Sequence, residues 1–371
     1  MEAFTILLAL MLVLVGLGLG TTMQVNQLKT AMRQPKALVI GMVCQYGLMP
    51  VFAYALCSAF NLDKGTALGV ILVGSCPGGV SHVPPTNSST PPTTTTTRRG
   101  GGCPPPCPLP LARALADTRP CCSHHQSTSN LFTYWSGGNV ALSVTMSAAS
   151  TLAAFAMMPL CIYVYAQQAY GTDADIPWAQ LFISLMLCIV PCCLGVFLRH
   201  KNTERRYRGK FVWEWVEKLG SAAGGIFLLV AVIIGCADNE ALFNDASASL
   251  WTVTGLMEPL GALAGFAAAA AVGLGRRDGC TVALETGVQN STLAIAIVEL
   301  SFRKGSERDV VMRGPLAYSL FYLVHSVWLV LLFRRVIGPP AEETEGKALP
   351  DSVKKIAGGT GKPAVDPRSR V

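Results

Sequence analysis

Glu285-Thr286-Gly287-Val288-Gln289-Asn290 lies in the middle of an apolar run from Cys280 to Leu300. The run is long enough to cross a bilayer, since about 20 apolar residues in a helix span the hydrocarbon core. A carboxylate and two amides are costly at that depth, and intramembrane polar groups mark ion or substrate sites. The glycine lets the helix unwind, which turns backbone carbonyls and helix N-termini toward a ligand. The stretch therefore predicts a cation or substrate site; the alternative is that its polar groups only join two helices.

The composition is that of a membrane protein. The 371-residue chain contains 14% charged residues and has a mean hydropathy of +0.43, whereas soluble domains carry about 25% charged residues. We therefore expect an all-α polytopic membrane protein embedded in a lipid bilayer. The net charge of +7 does not require a nucleic-acid partner, because basic residues at the cytoplasmic ends of spans account for it. The apolar segments contain no nucleophile–base pair or metal-binding motif, so an enzyme is not expected.

Apolar runs of this length predict nine transmembrane helices. They cover residues 3–20, 37–60, 66–79 (resuming at 129–135), 140–167, 177–198, 219–236, 249–275, 280–300 and 312–335. Basic residues concentrate in alternate loops, which predicts an outside N-terminus and a cytosolic C-terminus, in a plasma or organelle membrane. Residues 336–371 are rich in Lys, Glu, Pro and Gly and are predicted to form a disordered cytosolic tail.

Residues 80–126 interrupt the transmembrane domain predicted for residues 1–335. They hold a threonine run and clusters of proline, glycine and cysteine, which is low-complexity sequence that cannot bury a core. We interpret them as a translated intron, because Val80-Ser81 can be encoded by the splice donor GTGAGT and Gln126 by the acceptor CAG. The alternatives are a genuine flexible loop and a zinc site, although the spacing matches no strong zinc pattern. The candidate zinc ligands are Cys103, Cys107, Cys121, Cys122, His124 and His125.

Two polar breaks are expected to face each other when this insert is set aside. The first lies in the third span, at Pro77-Gly78-Gly79 and then Ser127 to Asn130, and the second is the stretch from Glu285 to Asn290. Each belongs to a three-helix unit, 37–167 or 249–335, and the two breaks enter from opposite sides of the membrane. This predicts inverted repeats with two broken crossing helices.

Oxygen-bearing side chains near these breaks predict two sodium sites, since a hard cation prefers oxygen ligands. Ser143 and Ser147 are four residues apart and share a helix face; for the serines alone, packing by small residues is the alternative. One candidate set consists of Ser129, Asn130, Ser143, Ser147 and Glu285. The other consists of Gln45, Glu285 and Gln289 with the carbonyls of Thr286 and Val288. Glu258 is interpreted as an interhelical hydrogen-bonding group, with a position facing a cavity as the alternative.

Six short motifs, in order and at matching spacing, together resemble the bile acid:sodium symporter family. They are Gln45-Tyr46-Gly47-Leu48-Met49-Pro50, Cys76-Pro77-Gly78-Gly79, Ser129-Asn130-Leu131-Phe132-Thr133, Gly138-Asn139-Val140-Ala141-Leu142-Ser143, Met157-Met158-Pro159-Leu160 and the stretch from Glu285 to Asn290. The resemblance runs from the first span to about Arg335, apart from 80–126.

The resemblance implies Na⁺-coupled uptake of an organic anion by alternating access, with a core domain that holds the broken helices and a moving panel domain. The substrate would be bile acid-like, a steroid sulfate or a small carboxylate. By motif match the two oxygen sets would each hold a sodium ion, and Asn290 and Ser127 would contact the substrate. Asn139 stands where vertebrate members have aspartate, whereas the plant and bacterial branch is similar to this chain at that position. This weakens the case for bile acids specifically. Two alternatives are a non-transporting membrane receptor of the same fold and a proton-coupled relative.

Overall fold

The computed structural model describes much of the membrane domain. The described residues are 10, 12–18, 20–21, 35–78, 128–171, 176–201, 206–207, 210–211, 215–216, 219–220, 226, 230, 233, 247–302 and 305–337. The predicted insert 80–126 and the candidate substrate contact Ser127 lie outside them. So does the predicted tail beyond Ile337, where the last helix ends, two residues past the predicted boundary at 335.

Helices account for nearly all of the described chain. In chain order the elements are α1 (Pro35–Val43), α2 (Met49–Ala59), α3 (Lys64–Gly74), α4 (Thr128–Ser136), α5 (Val140–Cys161), α6 (Trp178–Lys201), β1 (Arg206–Tyr207), β2 (Lys210–Phe211), α7 (Ala248–Ala271), α8 (Arg276–Gly287), α9 (Ser291–Ser301) and α10 (Ser306–Ile337). A π-helical turn, Cys44–Leu48, joins α1 to α2, and another, Ile162–Ala169, continues α5. The two strands form a short antiparallel ribbon that pairs Arg206 with Phe211, which the prediction of an all-α chain did not include.

Five helical stretches are long and apolar enough to cross a membrane. They are Pro35–Ala59, Val140–Gln168, Trp178–Lys201, Ala248–Ala271 and Ser306–Ile337. Each coincides with a predicted span, so the chain is a polytopic membrane protein. The predicted spans 3–20 and 219–236 are described only at some residues, which are helical, and the other two are broken.

The two broken spans unwind where the sequence contains proline, glycine or an amide. α3 ends at Gly74, and Pro77 follows within the break, where a proline cannot donate to a helical hydrogen bond. α8 ends at Gly287, and Val288 takes an extended backbone (φ −81°, ψ 104°). α9 then starts at Ser291, with Asn290 as its N-cap: the side chain accepts a hydrogen bond from the Leu293 amide at 3.0 Å. The second break therefore lies within the predicted stretch, at residues 288–290.

Glycine allows α3 and α10 to approach closely. A Cβ on Gly69 would lie 2.0 Å from the Val311 carbonyl oxygen, and one on Gly314 would lie 2.6 Å from the Val70 nitrogen. Helices in lipid associate largely through such close packing of small residues. α10 is thereby held against α3, the half-helix that leads into the first break.

We expect Gly69→Ala to destabilise the protein by about 1 to 3 kcal/mol, because the added methyl group would overlap the α10 backbone. The measurement is the thermal unfolding temperature of the purified protein in detergent. Gly255→Ala is the matched control, since its Cβ would meet the Phe321 ring at an ordinary 3.7 Å. Equal unfolding temperatures for the two variants would contradict the close contact.

Candidate functional site

The two helix breaks contact each other through their backbones. Gly78 in the first break pairs with Gln289 in the second as an isolated antiparallel bridge. The Asn290 amide donates a hydrogen bond to the Pro77 carbonyl at 3.1 Å. Unwound backbone within a bilayer needs partners because water does not supply them. Each break therefore satisfies backbone groups that the other loses by leaving its helix.

Five side chains meet beside this crossing. The Ser143 hydroxyl lies 2.5 Å from Glu285 Oε1 and 2.5 Å from Asn130 Oδ1. The Ser147 hydroxyl lies 2.9 Å from Glu285 Oε2 and 3.5 Å from Asn130 Oδ1. Ser129 also hydrogen-bonds to the Glu285 carboxylate. All five side chains are buried, so the structure brings the first predicted set together. We call it the first oxygen set.

The contacts within the first oxygen set outnumber its hydroxyl protons. Ser143 and Ser147 can donate one proton each, yet they make three contacts of 2.9 Å or less with the oxygens of Asn130 and Glu285, and a fourth of 3.5 Å. With Glu285 ionised, at least one of the three short contacts therefore brings two oxygen atoms together with no proton between them. A cation among the oxygens would compensate the repulsion and the single carboxylate charge, and oxygen ligands suit a hard monovalent ion. Within the described chain Glu285 forms no ion pair with Lys or Arg, so the donor set fits sodium.

Helical spacing explains how these side chains converge. Ser143 and Ser147 lie one turn apart on α5 and face Glu285, which is in the last turn of α8. Ser129 and Asn130 were predicted to lie in the first break but are helical, and they stand in the first turn of α4. Both broken helices and the unbroken α5 thus contribute to one cluster.

The second predicted set also lies beside Gly78. Gln45 Nε2 donates to the Cys76 carbonyl at 2.6 Å and to Gln289 Oε1 at 2.7 Å. Gln289 Nε2 in turn donates to the Thr286 carbonyl at 2.6 Å. Gln45 stands in the π-helical turn between α1 and α2, and π-turns often occur at functional sites. The structure thus joins Gln45, Gln289 and the Thr286 carbonyl, which we call the second oxygen set together with Glu285 and the Val288 carbonyl.

Gly78 lies next to both oxygen sets and leaves the space of a side chain between them and its own backbone. A Cβ at this position would lie 2.9 Å from Glu285 Oε2 and 3.9 Å from Gln45 Oε1. Both side chains therefore approach the same stretch of backbone, and Glu285 borders both sets. Val288, predicted as a carbonyl ligand, is fully buried in the break with extended backbone.

Asn290, predicted to contact substrate, is buried and caps α9 with its side-chain oxygen. The structure places it one residue from Gln289, at the crossing itself. The other predicted substrate contact, Ser127, lies outside the described residues. Glu258 accepts a hydrogen bond from Ser326 at 2.7 Å between α7 and α10, which agrees with its interpretation as an interhelical group.

The structure also contains a clamp between α5 and α8 that the sequence did not indicate. The Asn139 amide donates to Thr281 Oγ1 at 2.8 Å, and Asn139 Nδ2 donates to Asp278 Oδ1 at 2.8 Å. Asn139 Oδ1 caps α5 by accepting from the Leu142 amide. Asn139 precedes Ser143 by one turn, and Thr281 precedes Glu285 by one turn. The clamp therefore fixes the register of the two helices that carry the first oxygen set.

A second unpredicted group is Tyr318 on α10. Its hydroxyl accepts a hydrogen bond from the Gln289 amide and donates one to the Gly287 carbonyl, both at 2.9 Å. A buried tyrosine in an apolar span gave no signal that separated it from ordinary packing residues.

The model of the Sodium Bile acid symporter family matches residues 8–91 and 120–241, more than half of the 371 residues. The unmatched stretch between these ranges falls inside the predicted insert. A human protein named sodium-dependent organic anion transporter is 28% identical over 333 residues, which is 89% of this chain and 73% of the relative. The human ileal sodium/bile acid cotransporter is 28% identical over 317 residues (85% and 75%), and its Oryctolagus cuniculus counterpart is 29% identical over 318 residues (85% and 75%).

Asn139→Asp should weaken the clamp, because it replaces a hydrogen-bond donor by a second carboxylate 2.8 Å from Asp278. We expect a loss of about 1 to 3 kcal/mol in unfolding free energy, the cost of a lost hydrogen bond to a charged group. Asp278→Asn alone retains an acceptor and is the matched control. The double variant Asn139→Asp/Asp278→Asn restores one carboxylate and one amide, and its thermal unfolding should return toward that of the parent. A double variant no more stable than Asn139→Asp would contradict this pairing.

Proposed function

The chain belongs to the sodium bile acid symporter family, and from this premise we propose that it carries an organic anion across a membrane together with Na⁺. Like the relatives named above, it is a transport protein and not an enzyme. The observation that carries the proposal is the buried Glu285 carboxylate at the helix crossing, surrounded by serine and asparagine oxygens with too few protons for their contacts. A cation site at this place is the basis of coupling.

Each oxygen set holds one sodium ion in this proposal. The first ion contacts Ser129, Asn130, Ser143, Ser147 and Glu285. The second contacts Gln45, Glu285 and Gln289 with the backbone carbonyls of Thr286 and Val288. The shortage of hydroxyl protons at the first set supports this assignment, as does the convergence of Gln45 and Gln289 on backbone carbonyls at the second. At the second set the amides must present oxygen to the ion, so the Gln45–Gln289 hydrogen bond exchanges for ion contacts. A rotation of either amide about its last side-chain bond achieves this.

We further propose alternating access with inverted repeats. The antiparallel direction of the Gly78–Gln289 bridge supports two units, 37–167 and 249–335, that enter the membrane with opposite orientation. The proposed architecture has nine spans, an outside N-terminus and a cytosolic C-terminus. The crossing belongs to a core domain, and a panel domain moves against it.

The substrate class follows from the relatives and the site. The relatives are named for organic anions and bile acids, so a bile acid-like anion, a steroid sulfate or a small carboxylate is proposed here. Asn290 and Ser127 are the proposed contacts. Asn290 lies beside Gln289, so substrate at this amide would be adjacent to the second oxygen set, and the cations would offset its negative charge.

Residues 80–126 remain a proposed translated intron within a transmembrane domain that spans 1–335, followed by the cytosolic tail 336–371. The gap in the family match, between residues 91 and 120, supports this. A polar segment inserted next to the first break would have to leave the bilayer, because its backbone cannot stay unpaired there. A non-transporting receptor is the alternative that the insert favours, since such a protein tolerates a disrupted site.

The function is tested by uptake of labelled taurocholate, pyruvate and a steroid sulfate into proteoliposomes in Na⁺ against choline. We expect Na⁺-dependent uptake of at least one anion and its loss in Glu285→Ala, because the carboxylate is shared by both oxygen sets. Glu258→Gln is the matched control, since Glu258 is another fully buried carboxylate but lies outside both sets. The 371-residue chain and the form lacking 80–126 are compared in parallel. Folded protein without Na⁺-dependent uptake in either form would favour the receptor or a proton-coupled carrier.

Ser147→Ala should raise the Na⁺ concentration for half-maximal uptake about tenfold, the effect of losing roughly 1.4 kcal/mol of binding energy. Ser150→Ala is the matched control, because Ser150 is a buried serine on the same helix whose hydroxyl donates to the Ser147 carbonyl instead. Its Na⁺ dependence should stay close to that of the parent. Similar shifts in both variants would indicate a packing effect and argue against a sodium ligand at 147.

A further inference from the structure

The break between α8 and α9 leaves three successive amides to be satisfied inside the membrane. The Val288 amide still reaches the Leu284 carbonyl at 3.0 Å, and the Asn290 amide reaches the Pro77 carbonyl in the other break. The Gln289 amide bonds to a side chain and not to a carbonyl: it donates to the Tyr318 hydroxyl at 2.9 Å. One side chain from a third helix thus completes the hydrogen bonding of the break.

The Tyr318 hydroxyl also donates a hydrogen bond to the carbonyl of the residue before Val288. It donates its single proton to Gly287 at 2.9 Å, so the donor and the acceptor capacity of Tyr318 are both directed at the break. The two contacts bracket the residue whose extended backbone ends α8. They hold the chain in the unwound conformation and oppose its return to a continuous helix.

Tyr318 is itself fixed in place. It is fully buried, and its ring stacks on Tyr322 with centroids 6.3 Å apart and planes 8° apart. One turn before it, Gly314 packs against the Val70 backbone on α3. The same face of α10 therefore contacts both broken helices, α3 through Gly314 and the α8–α9 break through Tyr318.

We propose that Tyr318 is a positioning residue for the second oxygen set. Its hydroxyl fixes the backbone from Gly287 to Gln289, and this determines where the Gln289 side chain and the carbonyls of Thr286 and Val288 point. In this role Tyr318 acts through the backbone, from which it accepts one hydrogen bond and to which it donates another. The inference rests on the proposed role of the second oxygen set in sodium binding.

The first experiment compares Tyr318→Phe with the parent chain of 371 residues in detergent. The midpoint of Na⁺-dependent thermal stabilisation is measured at constant ionic strength with choline as the replacement cation. We expect the midpoint to rise about tenfold or more, equivalent to roughly 1.4 kcal/mol or more of binding energy. Tyr322→Phe removes the same atom one turn further along α10 and should leave the midpoint within about twofold, an energy difference near 0.4 kcal/mol.

A purely structural role predicts a different result. It would lower the unfolding temperature of Tyr318→Phe equally in Na⁺ and in choline and leave the sodium midpoint unchanged, and that outcome overturns the inference. A parent protein with no sodium response contradicts the proposed function itself and the inference with it. The two failures are therefore distinguishable.

A double-mutant cycle identifies the oxygen set on which Tyr318 acts. Combined with Gln289→Ala, Tyr318→Phe should add little to the shift in sodium midpoint, because the positioned side chain is already absent. Combined with Ser147→Ala, the two shifts should multiply, since those sites have no shared contact. The opposite pattern overturns the assignment to the second set.

Hydrogen exchange on the parent protein keeps the test independent of the folding of any variant. A peptide that covers residues 286–291 should exchange slowly in choline as well as in Na⁺, because the Gln289 amide is held by Tyr318 before the ion binds. Rapid exchange in choline that becomes slow only in Na⁺ would show that the ion, and not Tyr318, orders the break.

Discussion

Pairing of the two helix breaks is the constraint on which the rest of the structure depends. Backbone that leaves a helix inside a bilayer exposes donors and acceptors that lipid cannot satisfy. Here the bridge between Gly78 and Gln289 and the hydrogen bond from the Asn290 amide to Pro77 supply those partners. The broken helices must therefore cross at this point, and α5, α10 and the turn around Gln45 must pack around the crossing.

The crossing creates a concentration of oxygen atoms that is unfavourable by itself. Glu285 is buried beside hydroxyls and an amide oxygen, and within the described chain no basic side chain neutralises it. Burial of an uncompensated charge is expensive, so a bound cation would stabilise the same contacts that are strained without it. Substrate next to Asn290 would then meet a site whose net charge depends on how many cations are present, which gives a physical basis for coupling.

The sequence marked the polar side chains whose burial in a membrane costs free energy, and it did not mark side chains that are common in membrane helices. Glu285, Gln289 and Asn290 stand out because a carboxylate and two amides in an apolar run indicate a functional site. The break lies in this stretch, at residues 288–290. Tyr318 gave no such signal, since a tyrosine in a span is ordinarily a packing residue. The contacts of Asn139 with Asp278 and Thr281 join residues far apart in the chain, and no local pattern reports them. The short ribbon at Arg206–Phe211 was missed because a polar, basic loop has no apolar alternation to mark a strand.

The two oxygen sets share Glu285 but are held by different parts of the fold. The first depends on the register of α5 against α8, which is fixed by the hydrogen bond from Asn139, the N-cap of α5, to Thr281 on α8. The second depends on α10, because the Tyr318 hydroxyl holds the backbone that carries Gln289. A displacement of α10 would therefore distort the second set directly.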